Sequence, residues 1–198
     1  MQLKLFKKNR FHHKMSYIDM PYSLYGIRQN CINHGKIVFG YSGTYNSNYR
    51  NLKPLINVFK NNSDIYLEIC GKGNFEIIEQ NNIKINGWIK PNKIVEIENG
   101  FDVIVCILNK NSAQIPGKIF FNSNSEKPIL VILDGENKDI IKSYLEQFNR
   151  YIFCENNESS IYDAISYIIK NKDNLLYQNS IELSPKYITS FIINKNND

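Results

Sequence analysis

Three short stretches of this chain carry the residue types that hold a phosphate. Pro116, Gly117 and Lys118 stand at the start of a short helical stretch, just before the apolar run 128–133. A proline there pre-sets the helical backbone, the first amide N–H groups attract an anion, and the lysine adds a positive charge. Gly43 and Thr44 follow the run 36–41, and Arg50 lies where the next helix begins, from which it could reach a phosphate. Gly71, Lys72 and Gly73 end the run 65–70 in a similar way. On pattern alone each stretch also reads as an ordinary turn, and the second glycine pair reads more readily as a tight strand-to-helix connection.

Other chemistries find no support in the sequence. Neither the GxGxxG dinucleotide fingerprint nor the GxxxxGK[ST] phosphate loop occurs. His12, His13 and His34 all precede the regular part of the chain, and Asp134 and Glu136 have no evident acid–base partner. No nucleophilic triad and no metal-ligand cluster can be assembled from them. No catalytic side chain is identified, so a reaction here would have to rest on positioning and electrostatic stabilisation. Gly87-Trp88 presents the only tryptophan, read as covering a sheet edge rather than stacking on a base.

The elements that would position these residues are regular from Gly35 onward. Short β-branched and aromatic runs fall at 36–41, 65–70, 83–89, 102–108, 128–133 and 150–154. Between them, 50–61 places Leu52, Leu55, Ile56 and Phe59 at helical spacing, and 137–148 is amphipathic. A short helix is expected over 75–82, and another from Pro91 to its stop at Gly100. The stretch 159–172 reads as a helix with Ile161, Ala164, Ile165, Ile168 and Ile169 on one side, capped by Ser159 or Ser160. The near-continuous apolar runs 102–108 and 128–133 suit strands buried on both faces of a parallel sheet. The alternation predicts an α/β, doubly wound, Rossmann-like domain of about six parallel strands with helices on both faces. Its carboxyl edge, where such sheets bind ligands, collects all three glycine- and cation-bearing stretches.

The remaining sequence bounds the possibilities. The 198 residues, 42% hydrophobic and 22% charged, suffice for one sizeable core. Residues 1–34 form a basic, aromatic segment without clear periodicity, 35–172 the domain, and 173–198 a helical tail that packs back. Lys4, Lys7, Lys8, Arg10, Lys14 and Arg28 enrich the first segment in cations, but no recognised nucleic-acid-binding motif accompanies them. Cys31, Cys70, Cys106 and Cys154 make no CxxC pair and read as reduced thiols of a cytoplasmic protein. No apolar run approaches the ~20 residues that span a bilayer, so contact with a membrane is at most peripheral.

Taken in order, the stretches 37–59, 65–75, 83–108, 115–132 and the helix after 153–159 resemble the C-terminal, donor-binding half of a GT-B-fold glycosyltransferase of the group 1 type. The resemblance covers about residues 35–172. It implies transfer of a sugar from a nucleotide-diphosphate sugar in polysaccharide or glycan biosynthesis, with no metal or further cofactor. It places Gly43 and Thr44 at the diphosphate loop, Arg50 as the basic residue that holds the diphosphate, and Gly71, Lys72 and Gly73 near the nucleotide. Pro116, Gly117 and Lys118 match the family's P-x-K element. Two departures stand out. Phe121 occupies the position where the family carries an acid for the ribose hydroxyls, and residues 1–34 are too few to build the acceptor half. The resemblance therefore implies a separate acceptor-domain protein as partner. The alternative is a non-catalytic nucleotide- or partner-binding module, or a remnant of a transferase.

Overall fold

The structure is a computed structural model that describes residues 10, 11, 13, 17–23, 35–171, 175 and 179–195. Six strands, β1 (Ile37–Ser42), β2 (Ile65–Cys70), β3 (Ile83–Gly87), β4 (Val103–Ile107), β5 (Ile129–Leu133) and β6 (Ile152–Glu155), form one sheet in the order β3-β2-β1-β4-β5-β6. Every neighbouring pair is parallel. All five residues of β4 and of β5 are buried, which is why their sequences carry no alternation of apolar and polar residues.

Among the described residues, six α-helices accompany the sheet: α1 (Lys53–Lys60), α2 (Pro91–Asn99), α3 (Gly117–Phe121), α4 (Lys138–Glu146), α5 (Glu158–Asn171) and α6 (Pro185–Lys195). Because successive strand residues point to opposite faces, the sheet feeds two separate cores. Phe39, Leu67, Val103, Val105 and Leu130 meet Leu55, Phe59, Ile161 and Ile165 of α1 and α5. Ile104, Cys106, Val131 and Leu133 meet Ile119, Phe120 and Ile141 of α3 and α4 on the other side, where Val38 and Cys70 pack beside Ile94 and Ile97 of α2. The expected doubly wound domain with helices on both faces is what the chain forms.

Residues 17–23 and the tail join the second core. Tyr22 donates its backbone N–H to the Leu183 carbonyl (2.9 Å), and Leu183 and Ile188 are buried. The basic residues Lys4, Lys7, Lys8, Lys14 and Arg28, and also Cys31, His12 and His34, lie outside the described residues. The other three cysteines are buried free thiols, and burial pushes Cys106 and Cys154 up to about 12. No helix among the described residues is long and apolar enough to cross a membrane.

Three local expectations change. Residues 75–79 form no helix. Phe75 and Ile77 turn inward while Glu76 and Ile78 stay out, a two-residue alternation, and Phe75 packs edge-on against Tyr45 (5.0 Å). Glu79 accepts a hydrogen bond from the Ile85 N–H (2.8 Å), which ties the segment to edge strand β3 in place of a helical turn. The cap of α5 is Asn157, whose Oδ1 accepts from the Ser160 N–H (2.9 Å), while Ser160 Oγ accepts from Glu155 N. Ile169 sits 36% exposed, off the buried stripe of that helix. Arg50 precedes α1 instead of lying on it, held in a turn by paired backbone hydrogen bonds with Asn46.

Gly71 and Gly73 have a steric reason. A Cβ on Gly71 would stand 1.9 Å from the Gly43 carbonyl oxygen, and one on Gly73 would stand 2.0 Å from the Tyr45 ring. The β1 and β2 loops continue their pairing past the strands through Gly43 N–Cys70 O (2.9 Å) and Tyr45 N–Lys72 O (3.2 Å). Gly71→Ala is expected to destabilise the fold by at least about 2 kcal/mol, because a backbone carbonyl cannot rotate away as a side chain can. Thermal unfolding should show it as a fall of roughly 4 °C or more in Tm; an unchanged Tm would contradict the close approach.

Candidate functional site

The strand order reverses between β1 and β4. The chain leaves β1 toward β2 and β3 on one side, and later returns to β4, β5 and β6 on the other. Loops leaving these two neighbours diverge and leave a crevice at the carboxyl edge. That crevice is present as a cleft of about 300 Å³ lined by Thr44, Asn46, Tyr49, Arg50, Asn109, Asn111, Ser112 and Gln114. Two loops make it, one after β1 and one after β4. They are joined by Lys110 N–Tyr49 O (2.8 Å) and by Asn111 Nδ2–Asn48 O (3.3 Å).

Arg50 is the cation of this cleft. Its Nε donates to Asn109 Oδ1 at 2.6 Å, and its charge acts on the hydroxyl of buried Tyr41 beside it. Burial pushes that phenol up to about 12, even with Arg50 drawing it down. The hydroxyl therefore stays protonated and donates to the Thr44 carbonyl (2.7 Å). No carboxylate pairs with Arg50 among the described residues. The lining is otherwise amides and hydroxyls, groups that both donate and accept. Such a cleft suits a ligand with one anionic end and several hydroxyls.

Lys118 stands differently. Its Nζ lies 2.6 Å from Glu98 Oε1, at the end of α2, and Glu98 is almost buried. The second cation thus already has a counter-charge. Helix α3, which it opens, has five residues, too few to build up a helix dipole of consequence. Burial raises the Cys106 thiol inside β4, against the charges of Lys118 and Arg50, which draw it down. Pro116 is the residue before α3 rather than its first, with extended backbone (φ −58°, ψ 128°). Phe121, at the position of the expected acid, is 41% exposed and carries no acceptor.

Of the residues expected from sequence, the fold brings Thr44 and Arg50 into one cleft. Gly43 precedes Thr44 outside the cleft lining, while Gly71 and Gly73 serve the contact between neighbouring loops and Lys72 is exposed beside them. Asn109, Asn111 and Gln114 were not singled out, although they follow the most apolar strand of the chain, where a run of amides in a long loop is the available signal. Trp88 departs from the sequence reading: its ring is 62% exposed at the end of β3, beside Ile89, which packs inward. No group of three or more His, Cys, Asp or Glu able to hold a metal occurs among the described residues.

No protein-family model matches this sequence, and no curated protein matches it either. Solved structures do match in fold. The C-terminal domain of a glycosyl transferase group 1 family protein, LpcC from Francisella tularensis, superposes with a TM-score of 0.54 at 17% identity, over 74% of this chain and 83% of that one. The chain has the fold of one half of a GT-B glycosyltransferase. The GT-B likeness extends to HepE of Anabaena in complex with UDP-glucose, with a TM-score of 0.58 at 13% identity over 81% of this chain and 47% of HepE. It extends equally to MnaA of S. aureus with UDP, at 0.54 and 13% identity over 82% and 45%. The GT-B half described here therefore spans about half the length of those two proteins.

Proposed function

We propose that this chain is the donor-binding half of a nucleotide-sugar glycosyltransferase, acting with an acceptor half in polysaccharide or glycan biosynthesis. The observation that carries the reading is the cleft at the β1/β4 crossover, where amides and hydroxyls surround a cation that has no carboxylate partner among the described residues. Arg50 takes the diphosphate, Gly43 and Thr44 let the backbone approach it, and the 109–114 loop takes the sugar. Lys118 is a second phosphate contact once it exchanges Glu98 for the ligand, a competition between two charge-assisted bonds. The likeness of fold to HepE and MnaA, solved with UDP-glucose and UDP, supports this reading.

Trp88 offers a direct assay, since it is the only tryptophan and stands exposed two strands from β1. Two strand spacings are about 10 Å, within the reach of a nucleoside diphosphate anchored at Arg50. Titration with UDP or GDP should change its fluorescence, with calorimetry giving the affinity independently. Lys118→Ala is expected to weaken binding roughly tenfold, and Glu98→Gln, which releases Lys118, to leave it equal or tighter. Absence of binding for both nucleotides by calorimetry would overturn the donor-site reading.

One observation favours a second reading, a nucleotide-binding module without transfer activity. Phe121 replaces the ribose-binding acid, and Lys118 already has its counter-ion in Glu98. On that reading nucleotide binding persists while no sugar transfer appears when a candidate acceptor-half protein is added.

A further inference from the structure

We propose that Asn109 and Tyr41 are positioning residues that hold Arg50 in the one orientation able to grip a diphosphate; this inference rests on the donor-site reading above. An arginine on a surface turn samples many rotamers, and fixing it costs side-chain entropy each time a ligand binds. Here the fixing is built into the fold. Asn109 Oδ1 accepts from Nε at 2.6 Å, and buried Tyr41 stands close enough that the Arg50 charge draws its phenol down. The two anchors belong to adjacent parallel strands: Tyr41 lies in β1, and Asn109 follows β4 by two residues. Neither anchor carries charge, so the guanidinium is oriented without being neutralised.

The contrast with Lys118 makes the point. Its anchor, Glu98, is a carboxylate and cancels the charge it holds, whereas the neutral anchors of Arg50 leave the full cation facing the cleft. Both anchors are themselves braced. Tyr41 is buried and donates to the Thr44 carbonyl at 2.7 Å, and Asn109 Nδ2 reaches toward the Gln114 carbonyl at 3.4 Å, across the loop it begins. The orienting network thus touches both walls of the cleft.

Calorimetric titration of the full chain with UDP and UMP, or GDP and GMP if the base is guanine, tests this. Asn109→Ala and Tyr41→Phe are each expected to weaken diphosphate binding about 5–10-fold and to change monophosphate binding less than about twofold. On an Arg50→Ala background neither change should weaken binding further, because the residue they orient is gone. Equal losses for diphosphate and monophosphate, wild-type affinity in both variants, or the same loss on the Arg50→Ala background would overturn the proposal. Tyr41→Phe keeps the buried ring, and a thermal scan of each variant separates a folding defect from lost orientation. If the unaltered chain binds no nucleotide, the donor-site reading fails and this inference with it. If it binds through Arg50 but ignores Asn109 and Tyr41, only this inference fails.

Discussion

Arg50→Ala is expected to lower affinity for a nucleoside diphosphate by roughly 30-fold while leaving the fold intact. Arginine offers a planar fork of donors, and charge-assisted bonds to phosphate oxygens contribute about 1.5–3 kcal/mol. At Arg50 this figure is not offset by a competing carboxylate among the described residues, because the side chain is held by the neutral amide of Asn109 beside buried Tyr41. Arg50→Lys should fall between the two, keeping a charge but losing the fork and its contact with Asn109. The measurement is calorimetry at fixed ionic strength, since screening weakens phosphate contacts as salt rises. Diphosphate affinity within about twofold of the unaltered chain in Arg50→Ala would remove the cleft from consideration as the phosphate site. Thermal stability should change little, because Arg50 is only half-buried and stands in a turn.

The largest expected loss of stability lies at a different arginine. Arg150 is 1% exposed, and its guanidinium donates to the carbonyls of Ser123 (2.9 Å), Ser125 and Lys127 (2.9 Å). These carbonyls belong to the tight connection between α3 and β5, in which Ser123, Ser125 and Lys127 are all buried. Lys127 performs the same service next door, giving its Nζ to the Glu98 and Asn99 carbonyls at the end of α2. Arg150→Met fills the volume but leaves three buried acceptors without their donor, at about 1–3 kcal/mol each before relaxation. A net loss of about 4 kcal/mol is expected, read as a lower urea midpoint with unchanged slope and a fall of roughly 10 °C in Tm. Arg150→Lys should recover part of it. An unaltered midpoint in Arg150→Met would show that the connection finds its hydrogen bonds elsewhere. The consequence for the site is indirect: the same clamp sets where α3 ends, and so where Lys118 stands relative to Glu98.

The family likeness carries different weight for different residues. Pro116, Gly117 and Lys118 match the P-x-K element in sequence, yet the folded chain gives Lys118 a carboxylate partner and α3 a single turn and a half. Arg50, by contrast, faces the cleft with no carboxylate partner among the described residues. This inversion arises because a motif records residue types in order, whereas the charge available to a ligand depends on what else folds beside it. Glu98 lies 20 residues before Lys118 and on a different helix. Nothing in either stretch announces the other.

Much of the architecture was legible because it is local in origin. Apolar runs of five or six residues separated by helical periodicity define a parallel α/β sheet, and the two unbroken runs at 102–108 and 128–133 declare its central strands. The one helix wrongly expected, over 75–82, fails for a long-range reason. Phe75 and Ile77 find neighbours in Tyr45 and the first core, which rewards alternation over helical spacing. The cap of α5 shifted by two residues because Ser160, a good cap by type, is engaged by Glu155 N, leaving Asn157 in the position to serve.

By itself, then, the sequence determined the class of fold, the order of its elements and the edge of the sheet at which ligands bind. It also set the expectation that this edge binds an anion, because glycines and cations recur after successive strands. Only the tertiary structure decided which of those cations faces a cleft with its charge intact. It showed that Gly71 and Gly73 are required by neighbouring backbone and ring, and it brought Asn109 and Tyr41 onto Arg50. Residues 59 positions apart meet there because β1 and β4 are adjacent in the sheet, and adjacency of parallel strands is set by how two hydrophobic cores close around them, not by any pattern within reach of a local reading.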